Sequence, residues 1–432
     1  MNKNYKGIVA DITEKTDMMA LADGLVTYAD CSKTGVNRNA IVVGSTGCGK
    51  TTSITEPMML HTFDSSIVVP VSKRILAKQY ASMFQKRGYK TQIIDYVDPA
   101  RGNCGYDPME YVKTTEDAIE LAKQLGNYDE KKMPNDRYWE QSSESAIAAI
   151  LLLVKLNAEY AGKKAKFRDV IELLKSIDYE TLDEDNLKLN IAYLFDEAEK
   201  RFPDNTASEL IKTIRILPAR TAACMLGSIR SAVQNFFSDN VLKIVSMEER
   251  VNLDLLGEEK TAVFVITNPF NETCNRFINI MYGQMFRTLF EQAENSEKGH
   301  LNIPVHVICD DFACSTKIEG FERYISIFRQ ARISVTLLLQ SESQLKSLYG
   351  EYEGITIINN ADTYIFMGSQ EVETVNAVSR KMNVPFDKVM FMEPERIMVL
   401  RRGCKPYFGK RYQTYEDPVY RKMHTEKQEV KA

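Results

Sequence analysis

The stretch Gly44-Ser45-Thr46-Gly47-Cys48-Gly49-Lys50-Thr51 decides how this chain is read. It fits G-x-x-x-x-G-K-[ST], a pattern in which glycines let backbone N–H groups curl around phosphate oxygens. Lys50 can then reach the β and γ phosphates, and the Thr51 hydroxyl is offered to Mg2+. The helix that Thr52 continues turns its positive end toward the same anion. Just upstream, Ala40–Val43 is a short apolar run of the kind that forms a buried strand. A strand, this loop and a helix in that order make a nucleotide cradle of Gly44 to Thr52, rather than a glycine-rich turn with an unrelated lysine.

The second half of such a site is an acidic group at the end of another strand. The run at residues 304–309 leads into Asp310-Asp311-Phe312. Asp310 suits the Mg2+ shell, and Asp311 suits the orientation or deprotonation of an attacking water. Gln340 follows the apolar run Ile333–Leu339, where a side chain can sense the γ-phosphate or the water. Arg329 and Arg332 lie between the two, and an arginine supplied across a subunit interface can stabilise transition-state charge. A surface salt bridge is the alternative for each arginine. No N-K-x-D segment is present to read guanine.

Outward from the loop, β-branched runs recur at Ser66–Val71 and at residues 91–95, 261–267, 363–367 and 397–400. Most are apolar at successive positions, as strands covered on both faces should be. From about 112 to 250 this signal gives way to helical periodicity, with Asp136 a candidate cap for a helix through Val154. The expectation is an α/β domain with a mostly parallel central sheet, split over 1–111 and 251–432, around an inserted all-α domain at 112–250. The polar tail after Gly409 reads as loosely held.

Composition narrows the function class. Lys and Arg number 55 against 59 Asp and Glu, a net charge of −4, with 44% hydrophobic residues. That excludes a disordered polyelectrolyte, and it confines any nucleic-acid contact to a local groove. Candidates for such contact are Lys131-Lys132, Arg215, Arg220, Arg230, Arg401-Arg402 and Lys410-Arg411. The longest apolar run, residues 146–154, falls far short of the roughly 18–20 residues of a membrane span. The first residues lack the apolar core of a signal peptide. The eight cysteines are scattered, as in a reducing compartment, and the four histidines have no metal-ligand spacing.

With those residues in place, residues 36–410 resemble the type IV secretion coupling proteins, the TraG/TraD-type conjugative DNA-transfer ATPases. The likeness rests on Asn37-Arg38-Asn39 before the loop, Gly88-Tyr89, Tyr106-Asp107-Pro108-Met109 and Tyr138-Trp139-Glu140. It continues through Asp310-Asp311-Phe312-Ala313, Phe328-Arg329, Leu339-Gln340-Ser341, Ser343-Gln344-Leu345, Tyr349-Gly350, Asn359-Asn360-Ala361-Asp362 and Gly368-Ser369. The resemblance implies a RecA-like P-loop NTPase domain that uses ATP and Mg2+, with an all-α insert facing the substrate. It implies a homo-hexamer at the inner face of the cell membrane that takes single-stranded DNA, relaxase or relaxosome proteins to a type IV secretion channel. Lys50 and Thr51 match the Walker A positions, Asp310 and Asp311 the Walker B positions, Gln340 the glutamine after the following strand, and Arg329 a candidate trans arginine.

Three features depart from the family. No transmembrane helix is seen, so a segment outside this chain or a membrane partner protein is expected to supply the membrane attachment. Val69-Pro70-Val71-Ser72-Lys73-Arg74 stands where Asp-Pro-Lys-Gly-Glu is frequent, and Asp311 where many ATPases carry Glu. The functional expectation is an ATP-driven coupling motor. The alternatives are a low-turnover ATP-binding substrate receptor and a related DNA-packaging or segregation ATPase.

Overall fold

A computed structural model describes residues 9–429 apart from 72, 127–133, 177–178, 182–186, 190–191, 216–218, 235, 237, 268–270 and 311–316. The chain forms two compact units. The first takes the described residues of Met1–Asp95, Asn252–Phe270 and Met285–Ala432, and the second those of Tyr96–Val251 and Asn271–Gln284.

The first unit opens with a hairpin, β1 (Met18–Ala22) and β2 (Leu25–Tyr28), followed by β3 (Ala40–Val43), β4 (Ser66–Val71) and β5 (Lys90–Asp95). The second unit holds the short pair β6 (Tyr179–Thr181) and β7 (Leu187–Leu189). Back in the first unit come β8 (Thr261–Ile266), β9 (Val305–Cys309), β10 (Ile333–Leu339), β11 (Thr363–Phe366), β12 (Arg396–Arg401) and β13 (Tyr407–Lys410). Among the described residues, nine strands make one sheet in the order β13-β12-β11-β3-β10-β9-β4-β8-β5. Seven of them, β11 through β5, run parallel, and β12 and β13 turn antiparallel at one edge.

Burial follows sheet position. Every residue of β3, β4, β8, β9, β10 and β11 is buried, whereas the edge strand β13 has none buried and β5 only three. Covering on both faces is why these sequences read as continuous apolar runs. Each fully buried Val, Ile or Leu contributes about 1.5–3 kcal/mol relative to exposure.

The ends of the strands are tied by asparagines. Asn37 and Asn39 both donate to the carbonyl of Asn360, at 2.9 and 3.1 Å, and the Asn37 N–H donates to Asp362 at 2.6 Å. The Asn39 side-chain oxygen accepts the Val335 N–H at 3.0 Å. Two of the motifs that carry the family likeness, Asn37-Arg38-Asn39 and Asn359-Asn360-Ala361-Asp362, therefore hold β3, β10 and β11 in register.

The second unit is mainly helical, with helices Pro134–Tyr160, Phe167–Ser176, Ala192–Arg201, Thr206–Arg215, Ala219–Gln234 and Asp239–Ser246. Its boundaries differ from the expected 112–250, because residues 96–111 carry aromatic rings whose partners lie in this unit. The Phe277 ring lies 5.4 Å from Tyr106, 5.8 Å from Phe167, and 6.2 Å from both Tyr96 and Phe236. The strands β6 and β7 also depart from an all-helical insert. The long helix begins at Pro134, a residue whose missing N–H costs nothing in the first turn, so Asp136 is not its cap. Asp107 is fully buried, accepts N–H bonds from Met109 and Phe167, and lies 3.4 Å from Arg250. Burial pushes its carboxyl up to about 6.

Candidate nucleotide-binding site

The phosphate loop leaves the C-terminal end of β3, flanked by β10 and β11. The Gly44 N–H donates to the Leu339 carbonyl and the Ser45 N–H to the Gly368 carbonyl, both at 3.0 Å. Gly47 and Gly49 sit at φ 76° and 82°, in the left-handed region where a side chain is strained. Lys50 is buried and donates to the carbonyls of Gly44 at 2.6 Å and Ser45 at 3.3 Å, so its ammonium lies inside the curl of the loop. The chain then enters one wide π turn, Thr51–Thr55, before the α-helical Glu56–Leu60. Such turns recur at functional sites.

The acidic strand β9 ends one strand away from the loop. Its first following residue, Asp310, accepts the Thr51 hydroxyl at 3.4 Å. Two hard oxygen donors from positions 259 residues apart meet here, the donor type Mg2+ prefers. The strand between, β10, pairs Leu339 with Val43, so the half-buried Gln340 emerges beside the loop. Lys50, Thr51, Asp310 and Gln340 thus gather at the C-terminal ends of the central strands β3, β9 and β10. Asp311 lies outside the described residues.

The arginines go elsewhere. Arg329 is exposed and donates to the Gly35 carbonyl at 3.4 Å, at the N-terminal end of β3 and so across the sheet from the loop. Arg332 ends the helix Phe321–Ala331 in a left-handed conformation and donates to Leu301 and Asn302 at 3.3 Å. Of the basic residues offered for nucleic-acid contact, Arg401 is buried at 1% exposure and bonds Thr27, contrary to that expectation. Arg402 pairs with Asp362 at 3.1 Å and Arg215 with Asp196 at 2.9 Å, while Lys131 and Lys132 lie outside the described residues.

The segment after Gly409 is also not loose. Tyr412, Thr414 and Asp417 are buried, and a helix follows over Pro418–Glu429. Asp417 accepts from Tyr412 and pairs with the fully buried His61, both at 2.6 Å. Arg411 donates to the carbonyl of Cys48, inside the phosphate loop, and to Met367 at 2.9 Å. The sequence reading missed this role. The partners are 363 residues apart, and no local pattern marks the arginine.

With this geometry established, comparison with known proteins identifies the fold. The bacterial conjugative coupling protein TrwBΔN70 in complex with sulphate is 14% identical at a TM-score of 0.66, over 96% of this chain and 96% of that one. The plasmid coupling protein TrwB in complex with ADP and Mg2+ is 15% identical at a TM-score of 0.63, over 93% and 90%. VirB4 of Thermoanaerobacter pseudethanolicus is 12% identical at a TM-score of 0.55, over 94% and 99%. The chain shares their RecA-like NTPase fold. No curated protein sequence gives a significant match. No helix among the described residues is long and apolar enough to cross a membrane. The model of the family described as type IV secretory system conjugative DNA transfer matches residues 1–383, and the chain belongs to that family.

Proposed function

We propose that this chain is an ATP-hydrolysing coupling protein, which recruits relaxase-bound single-stranded DNA or protein substrate and delivers it to a conjugative type IV secretion channel. The observation that carries the reading is the Thr51–Asp310 contact of 3.4 Å beside the curled Lys50, which unites the two halves of a Mg2+·ATP site. The family match and the ADP–Mg2+ complex of TrwB support it.

Residues 44–52 hold the phosphates through N–H groups and the Lys50 ammonium, and Thr51 and Asp310 hold the metal. When bound, Mg2+ neutralises charge developing on the phosphoryl oxygens. Asp311 takes the proton of the attacking water, and Gln340 orients that water against the γ-phosphate. Arg329, turned away from its own loop, serves the site of a neighbouring copy in a homo-hexamer. The first unit is the nucleotide domain, and the mainly helical second unit faces the substrate. A membrane partner or a further segment holds the assembly at the inner face of the membrane.

ATP turnover measured with and without single-stranded DNA tests the motor. Turnover is expected to rise several-fold with DNA. Nucleotide binding without hydrolysis under either condition would sink the motor and leave a substrate receptor, the reading that the short Asp311 side chain favours. Stimulation by double-stranded DNA alone would point instead to a packaging or segregation ATPase.

A further inference from the structure

Residues 411, 414 and 417 run alongside the phosphate loop and its helix. Arg411 holds the Cys48 carbonyl before the helix, the Thr414 hydroxyl donates to the Thr52 carbonyl in its first turn, and Asp417 holds His61 at its end. Between them, Thr414 opens the tight turn Thr414–Glu416, and Asp417 follows its end. The backbone of this segment is pinned as well, with the Arg411 N–H on the Glu395 carbonyl at 2.9 Å. All of it lies beyond the part matched by the family model.

The Arg411 contact has a directional consequence. A trans peptide sets its C=O and N–H antiparallel. An arginine that draws the Cys48 carbonyl outward turns the Gly49 N–H the opposite way, into the curl where Lys50 lies. Gly49 is at φ 82° and offers little resistance to rotation of that peptide, so an external hold is needed. Arg411 also bonds Met367, whose neighbour Gly368 receives the Ser45 N–H, and so bridges both sides of the loop.

We infer that residues 411–417 form a strap belonging to the nucleotide site, with Arg411 as a positioning residue that aims the loop's N–H groups at the phosphates. This rests on the phosphate-loop reading above. The strap adds no chemistry of its own; it raises affinity for the polyphosphate by removing the freedom of the Cys48–Gly49 peptide.

The test compares wild type, Arg411→Ala, Arg411→Lys, Thr414→Val and Lys50→Ala in the full chain. Affinity for a non-hydrolysable ATP analogue is measured by calorimetry, and amide exchange over residues 44–53 is followed without nucleotide. Arg411→Ala is expected to weaken binding about tenfold, the effect of one charge-assisted hydrogen bond. Arg411→Lys, which keeps the charge but not the fork, should fall between. Loop exchange should quicken in Arg411→Ala and Thr414→Val while the β1–β2 hairpin keeps its rate. Affinity of Arg411→Ala within twofold of wild type, or unchanged loop exchange, with Lys50→Ala weakened by about 100-fold, overturns the strap and leaves the phosphate-loop reading intact. Normal binding by Lys50→Ala overturns that reading itself. If Arg411→Ala does not fold, Arg411→Lys and Thr414→Val decide by the same two readouts.

Discussion

Lys50→Ala is expected to weaken binding of an ATP analogue by about 100-fold, on the order of 3 kcal/mol, and to abolish turnover. The side chain is only 8% exposed, and its ammonium already lies between the carbonyls of Gly44 and Ser45. A cation in such a desolvated position interacts with phosphate far more strongly than a surface lysine can. Calorimetry with a non-hydrolysable analogue measures the loss, and a preserved thermal transition separates it from misfolding. An affinity within threefold of wild type would contradict the assignment of residues 44–52 as the phosphate cradle.

The largest stability effect is expected at Arg38, inside a motif that reads as functional by resemblance. Arg38 donates to Asp17 at 2.9 Å and to Ser65 at 2.8 Å, and Asp17 also accepts the N–H groups of Phe63 at 2.7 Å and Asp64 at 2.8 Å. Both charged side chains are nearly inaccessible. Arg38→Ala strands the carboxylate in the interior, which costs about 3–5 kcal/mol. For a unit of this size, thermal unfolding should drop by roughly 10 °C. A fall of less than 3 °C would show that the pair is not what holds the β1–β2 hairpin to the turn before β4.

The same pair sets an acid limit. Burial raises the Asp17 carboxyl, but the Arg38 charge and the bonds from Ser65, Asp64 and Phe63 outweigh it and hold the group below its ordinary value. A depressed folded value means the stabilisation is present above the unfolded value near ~3.9 and is lost as pH falls through the lower folded value. In Arg38→Ala the onset of acid unfolding should therefore move to higher pH. A denaturation series between neutral and acid pH reads that shift directly.

Much of the architecture was legible because it is written locally. The strands β3, β4, β8, β9, β10 and β11 are buried on both faces, and double burial leaves a continuous apolar run. The phosphate loop is likewise local, since its glycines, Lys50 and Thr51 are consecutive. Of the two edge strands, β5 was legible at residues 91–95, but β13 and the β1–β2 hairpin were not. β13 alternates between half-buried and exposed positions, and β1, although buried throughout, is built of Met, Ala and Leu and lacks the β-branched residues that mark the central strands.

The limits of the sequence follow from the reach of its contacts. By itself it determined the parallel α/β core, the loop of residues 44–52 that follows β3, and the acidic and glutamine positions that close strands beside it. Only the tertiary structure decided that Asn37, Asn39, Asn360 and Asp362 bind one another and that Arg329 stands across the sheet from its own loop. It also decided that Arg401 is buried and that Arg411, Thr414 and Asp417 bond the phosphate loop and its helix. Each of these depends on groups tens to hundreds of residues apart, and a polar side chain carries no local mark of the partner it meets after folding. A loop made of consecutive residues shows its purpose in its order; a bond such as Arg411 to Cys48 exists only once strands from both ends of the chain lie in one sheet.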